Sequence, residues 1–233
     1  MRGSRLRRRR LQARQYVVMA VGFAVLATGL TFAAGPFRDT RDFHRTVGCE
    51  TTCFASEDGH IRSKRTYTTT STYTDANGST RTDTTTHWEL TWERPDGRRE
   101  SRDVSANVYR HAEPDAPARL RIWHGAVVGV EVMGATQWFL PPSGESLGGW
   151  LYVTWFGLGV LLWGLVIGRW DGLFMLVFRT MGWMFIAIMP IQIMTNAFAY
   201  GLPSGAALAW QLVFGVFFTG IAVILVLGSL GDW

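Results

Sequence analysis

Hydrophobic and polar positions divide this chain into two regimes. Residues 16–34, 147–167, 180–199 and 208–230 are runs without a charged side chain. Each is long enough to cross the roughly 30 Å hydrocarbon core of a bilayer as a helix. The third holds Pro190 in its middle, and its apolar character reaches back to residue 173. Between the first and second runs the pattern changes. Trp88, Leu90 and Trp92 alternate with His87, Glu89, Thr91 and Glu93, the period-two signature of a half-buried strand. The spacing therefore predicts four spanning helices and one polar domain of β structure inserted after the first helix.

Turn residues place the strands of that domain. Asn77-Gly78 reads as a two-residue hairpin turn. It would set Tyr67 opposite Trp88 and Tyr73 opposite Thr82, with the aromatics on one face and Arg65 facing Leu90. Pro95-Asp96-Gly97 reads as a second turn, followed by a strand at about 99–104. His124-Gly125 separates Leu120 and Ile122 from Val128, Val130 and Val132; a three-residue loop there pairs Ile122 with Val128 and Leu120 with Val130. Five strands without a long amphipathic helix predict a small antiparallel sheet or partly open barrel. Residues 66–86 hold eleven threonines in twenty-one positions. Threonine favours strands, and the run lacks proline, so an exposed hairpin is expected in preference to a disordered, glycosylated stalk. The Asn77-Gly78-Ser79 triplet matches a glycosylation acceptor, a match common by chance.

Charge adds the orientation. Seven arginines lie in the first fourteen residues, among them Arg7, Arg8, Arg9, Arg10 and Arg14. Basic residues beside a span stay cytoplasmic. The connection 169–179 carries Arg169 and Arg179, whereas 200–207 carries no charge. Both signals give one layout. Residues 1–15 form a basic cytoplasmic terminus, 16–34 the first span and 35–146 an extracytoplasmic domain. The second span is 147–168, 169–179 a cytoplasmic loop, 180–199 the third span, 200–207 an outer loop, 208–230 the fourth span and 231–233 a cytoplasmic end. Trp150, Tyr152, Trp155, Tyr200 and Trp210 fall at the outer boundary of this scheme, and Trp170, Trp183 and Trp233 at the inner one. A cleaved signal peptide fits the first run less well, because its apolar core exceeds roughly 7–15 residues and Thr31-Phe32-Ala33 is a poor cleavage sequence. The Arg8-Arg9-Arg10-Leu11 run could serve as a twin-arginine signal, but an arginine cluster produces such pairs by chance. Nucleic-acid binding is not expected: the segment 35–146 holds 14 Lys or Arg against 16 Asp or Glu, so the net charge of +5 resides in the N-terminal cluster.

The chain resembles multi-pass membrane proteins of high-GC actinobacteria, themselves uncharacterised. The residues that carry the likeness are Cys49 and Cys53 soon after the anchor, the Arg94-Pro95-Asp96-Gly97 turn, and Ile122-Trp123-His124-Gly125 leading into Val127-Val128-Gly129-Val130. It covers most of residues 1–168. The resemblance implies an anchor helix, a cysteine-containing β domain outside the cell and further closing helices. It carries no catalytic residue.

Candidate chemistry is sparse. Cys49 and Cys53, the two cysteines, are expected outside the cell, where a disulfide persists. The sharper alternative adds His44 and His60 as zinc ligands, but H-x4-C-x3-C-x6-H matches no established spacing. His44, His60, His87, His111 and His124 are scattered, and no G-x-S-x-G elbow is present. Within the spans, Gln192, Thr195, Asn196 and Gln211 are the polar candidates. They either line a pore near the Pro190 kink or bond between helices as packing contacts. Arg179 is expected near the inner boundary, reaching toward headgroups. Gly164-x-x-x-Gly168 offers a smooth face for helix packing. The expectation is a plasma-membrane protein of the cell envelope with a non-enzymatic sensing, scaffolding or partner-binding role. It needs no metal or cofactor. Its partners are the bilayer and an envelope protein or a homo-oligomer. The alternative is a small transporter or channel subunit using the third and fourth spans.

Overall fold

The computed structural model describes residues 13–49, 53–74, 77–166, 173–202 and 204–228. Arg7, Arg8, Arg9, Arg10, Arg169 and Gly168 lie outside them. The chain divides into a helical unit, Met1–Arg45 with Pro142–Trp233, and a β unit, Thr46–Pro141.

The helical unit contains α1 (Ala13–Val47), α3 (Pro142–Val166), α4 (Leu173–Tyr200) and α5 (Ala206–Gly228). Segments Gln15–Val47, Pro142–Leu165 and Met175–Tyr200 are long and apolar enough to cross a membrane, and Leu208–Ile224 is a shorter apolar helix. This marks the unit as membrane-associated. The first helix does not stop near residue 35 as the charge-free run predicts. It continues through Pro36 to Val47. Proline removes one backbone donor, but the continuation keeps a reason to stay helical: Thr40 and Phe43 are fully buried while Arg38, Asp39, Arg41 and Asp42 point outward.

α1 and α3 pack antiparallel through glycine. A Cβ at Gly22 would stand 2.5 Å from the Leu161 nitrogen, one at Gly29 2.8 Å from the Thr154 nitrogen, and one at Gly157 2.5 Å from the Leu26 nitrogen. Gly164 meets Met19 in the same way, and Thr40 donates to Ser143 further along. These pairs step down α3 as they step up α1, at the three- and four-residue intervals of a helix–helix seam. α3 and α4 are joined by Trp155 and Trp183. The two indoles stack at 4.5 Å, and each Nε1 donates to the other residue's backbone carbonyl at 2.9 Å. Placing these tryptophans at opposite membrane boundaries is thereby corrected: antiparallel helices bring them to one level.

The β unit is an open six-stranded antiparallel sheet in the order β3-β2-β1-β4-β5-β6. The strands are β1 (Ala55–Thr74), β2 (Thr80–Glu93), β3 (Arg99–Val104), β4 (Pro117–Trp123), β5 (Ala126–Val132) and β6 (Ala135–Trp138), with a short helix α2 (Ala106–His111) after β3. One face carries the core: Ile61, Leu90, Trp92, Val104, Leu120, Val130 and Val132, with Val108 and Ala112 contributed by α2 and the chain around it. The strand-six turn escapes sequence reading because Met133-Gly134 supplies no familiar turn signature, yet both residues take positive φ, 47° and 81°, as a tight hairpin turn requires. The His124-Gly125 turn is likewise a two-residue one, with φ of 49° and 80°. Leu120 does pair with Val130, but Ile122 pairs with Val127, because a register shift follows Arg121.

The β1–β2 register differs by one residue from the Asn-Gly expectation. Tyr67 lies opposite His87, Thr66 opposite Trp88, Lys64 opposite Leu90 and Tyr73 opposite Arg81. Thr74 pairs with Thr80, so the strands close earlier than a two-residue Asn77-Gly78 turn requires. A one-residue slip exchanges the two faces. Here it takes Arg65 and Tyr67 off the core face and puts Lys64 beside Leu90. Lys64 Nζ leaves the core by donating to the Ala112 and Tyr109 carbonyls, at 3.0 and 3.3 Å, where α2 ends. An irregularity between Ile61 and Ser63 then resets the parity and brings Ile61 beneath Trp92.

Candidate functional site

The most unusual part of the β unit is the far half of the β1–β2 hairpin. β3 last pairs with β2 at Trp88, and β4 last pairs with β1 at His60. From Thr68↔Thr86 to Thr74↔Thr80 the two strands continue alone, and every described residue of this ribbon is exposed. At ~3.4 Å per residue its six steps extend roughly 20 Å. Strand alternation gives the ribbon two different faces. Thr66, Thr68, Thr70, Thr72 and Thr74 of β1 and Thr80, Thr82, Thr84 and Thr86 of β2 fill one of them. Tyr67, Thr69, Ser71, Tyr73, Arg81, Asp83, Thr85 and His87 fill the other.

At the root of the second face four side chains interlock. The Tyr67 and His87 rings stack at 4.7 Å. Tyr67 donates to Asp103 at 3.1 Å, His87 Nδ1 lies 3.2 Å from Asp103 Oδ2, and His87 Nε2 shares a 2.9 Å hydrogen bond with Thr69 Oγ1. The bond to Asp103 holds the Tyr67 phenol above its ordinary value. Thr69, His87 and Asp103 follow the order nucleophile, base, orienter. They nevertheless sit on the open face of a sheet, and strand N–H groups lie in the plane of the sheet and do not point from that face at a developing oxyanion. What the network does is fasten β3 to the base of the ribbon. Sequence reading places His87 on the solvent face but misses Asp103 and Thr69, which meet it only through a three-strand register.

Further along the same strands lies an ionic ladder. Glu93 accepts from Arg62 at 3.1 and 3.2 Å and from Arg99 at 2.7 Å, and Arg62 also reaches Asp115 at 3.0 Å. The hydrogen bonds from Arg62, then those from Arg99, lower the Glu93 carboxyl to about 2. Arg94, in the turn after β2, is buried. It grips Glu57 with a two-pronged bond of 2.9 and 3.0 Å and donates to the Gly125 carbonyl at 3.1 Å. One guanidinium so ties the β2–β3 turn to β1 and to the β4–β5 turn.

The two cysteines do not form the expected disulfide. Both are free, exposed thiols. Cys49 donates a hydrogen bond to Cys53, and that bond raises its pKa above the usual thiol value. Among the described residues no group of three or more His, Cys, Asp or Glu side chains is placed to hold a metal. His44, part of the zinc alternative, instead lies in α1 with Nδ1 3.3 Å from the Ala199 carbonyl.

The polar candidates of the helical unit do not converge. Thr195 is buried and donates to Ile191 and Gln192 carbonyls of its own helix, at 2.9 and 3.1 Å. Gln192, Asn196 and Gln211 are exposed on the surface of the unit. Thr195 packs near Gly148, Phe198 meets Phe37, and Tyr200 meets Phe43. The Thr195–Tyr200 end of α4 therefore lies level with the polar continuation of α1, past its charge-free run. Arg179 is buried in the helical unit, 5% exposed. Arg14 belongs to α1. A cavity of about 170 Å³ opens between α1, α3 and α4, lined by Leu26, Leu30, Leu151, Leu158, Ile191 and Met194 with Thr154 and Trp155. Its one hydroxyl, Thr154, is bonded to the Trp150 carbonyl, so the cavity presents an apolar wall.

No protein-family model, no curated protein and no solved structure matches the chain.

Proposed function

We propose that this chain is a non-enzymatic, partner-binding protein of the cell envelope. In this reading four helices hold it in the plasma membrane, both termini face the cytoplasm, and the β unit lies outside. The N-terminal arginines and the uncharged 200–207 connection support that orientation. The likeness to actinobacterial multi-pass proteins with a β domain after the first helix belongs to the same reading.

The observation that carries it is the bare ribbon from Thr68↔Thr86 to Thr74↔Thr80. A two-stranded ribbon with no core on either face is marginal by itself. Threonine keeps the strand preference without an apolar patch. The free edges expose N–H and C=O groups that an added strand satisfies. Replacing residues 69–85 by an Asn-Gly turn tests this. The shortened chain keeps the core of the β unit and the helical unit folded but loses the products captured by crosslinking the full chain in cells. An unchanged set of crosslinked products refutes it. The transport alternative lacks such an observation, since Gln192, Asn196 and Gln211 are exposed and do not line the apolar cavity.

A further inference from the structure

We propose that two copies of this chain join through the free edge of β2, antiparallel and centred on Thr82. The proposal rests on the ribbon being the contact surface and names what it contacts.

On one side β2 is paired with β1 throughout; on the other, β3 reaches it only from Trp88 onward. The edge from Thr80 to His87 is therefore open. Natural sheets protect such an edge with proline, a bulge, a covering segment or a run of like charge. Among the described residues this edge has none of these. Between Thr80 and Thr86 its charged residues are Arg81 and Asp83, one of each sign. Both are exposed, and among the described residues neither makes an ion pair or hydrogen bond. They point to the same face two residues apart, about 7 Å along the strand, and they do not bond each other.

A second copy resolves this arrangement. When Thr82 lies opposite the partner's Thr82, antiparallel pairing puts Arg81 opposite the partner's Asp83 and Asp83 opposite the partner's Arg81. Opposed charges across strands stabilise pairing, and like charges oppose it. Moving the centre to residue 81 sets two arginines face to face; moving it to residue 83 sets two aspartates face to face. The charges thus select one register, and the two-fold relation is that of an isologous interface. A foreign strand needs the same two charges in the right order, whereas a copy of this chain already has them. The free edge of β1 has no equivalent code, because residues 66–74 carry no charge. Pairing over residues 80–84 of each copy ends before β3 joins β2 at Trp88. The product is a four-stranded sheet, β1-β2-β2-β1, in which the threonine faces of both ribbons become continuous.

The test uses the full chain in mild detergent, with Cys49→Ser and Cys53→Ser so that an introduced thiol acts alone. Mild oxidation of Thr82→Cys is expected to give disulfide-linked dimers, and Thr70→Cys on β1 to give few. Adding Arg81→Asp or Asp83→Arg lowers self-crosslinking at least about tenfold. Mixing those two variants, distinguished by tags of different size, restores a crosslink that joins one of each. The double exchange Arg81→Asp with Asp83→Arg restores self-crosslinking and shows that the ribbon still folds. Failure of Thr82→Cys to dimerise, or charge variants that crosslink as the parent does, overturns the proposal. If a photocrosslinker at position 82 joins only other proteins in cells, pairing between copies is wrong while the ribbon remains a contact surface. If it joins nothing, both readings fall.

Discussion

Substituting Gly157 by leucine examines the α1–α3 seam directly. A Cβ at this position would lie 2.5 Å from the Leu26 nitrogen, 2.9 Å from its Cα and 3.1 Å from the Gly22 carbonyl oxygen. All three are backbone atoms, so no rotamer change relieves the clash. Ordinary separations are about 3.5–4.0 Å, and the helices must therefore part by roughly 1 Å at this point. Opening a packed contact by that distance forfeits about a quarter to a half of the dispersion attraction across it. Neighbouring pairs, Gly22 with Leu161 and Gly29 with Thr154, are strained as well. Overpacking of this kind costs about 1–3 kcal/mol, and the backbone contacts place Gly157→Leu toward the upper end. The control is Gly149→Leu in the same helix, where nothing lies within 4 Å. Relief of glycine's poor helix propensity should leave that variant neutral or stabilise it by up to about 1 kcal/mol. Reversible unfolding of the full chain in mixed micelles, followed by circular dichroism, measures both. The expected gap between the variants is about 2–4 kcal/mol. Equal stability would show that α1 and α3 do not pack through these glycines.

Three further outcomes follow from the β unit. Arg94→Ala removes a side chain that is 4% exposed and strands Glu57 and the Gly125 carbonyl. Loss of about 3 kcal/mol in denaturant unfolding is expected, the low end for breaking a buried pair, because Glu57 is 34% exposed and can regain water; a loss below about 1 kcal/mol would contradict the clamp. Glu93 has its folded pKa depressed to about 2 by Arg62 and Arg99. Its contribution is thus present above the ordinary carboxyl range near 4.5 and fades as pH falls toward 2. Glu93→Gln should flatten the acid side of the stability profile, and an unchanged profile refutes the assignment. Finally, because Cys49 and Cys53 are free and exposed, a maleimide should modify both without reductant. Cys49 should react more slowly near neutral pH, since its raised pKa leaves less thiolate. Labelling that requires prior reduction would restore a disulfide.

The sequence reveals the helices well because a charge-free run is a one-dimensional signal. The alternation around Trp88, Leu90 and Trp92 is equally local, and all three face the core side, with Leu90 and Trp92 buried. What escapes is decided at a distance. The continuation of α1 to Val47 is polar on one side and depends on Thr40 and Phe43 being buried. The pairing of Tyr67 depends on the strands closing at Thr74 and Thr80, which an Asn-Gly pair disguises as a two-residue turn. Trp155 and Trp183 read as boundary residues by their spacing along the chain, yet their helices run antiparallel and make them partners. Gln192, Thr195 and Asn196 of α4 read as deep because the run around them is apolar. Their level is set by neighbours such as Gly148 and Phe37, which no hydropathy window includes.

These placements bear on where function resides. In the helical unit, Thr195 and Thr180 bond their own helices, the paired tryptophans bond each other's carbonyls, and Gln192, Asn196 and Gln211 are exposed outside the cavity lining. In the β unit, the core ends at the level of Trp88, and α2, Lys64 and the Asp103 network close that end. Stability of the sheet gives no reason for β1 and β2 to continue past it. Six further steps order the backbone at about 1–2 kcal/mol per residue and bury almost nothing in return. In the proposed reading, a ribbon with that balance gains its stabilisation from a contact outside the fold. Arg81 and Asp83, unpaired and of opposite sign on the open edge, indicate the form of that contact.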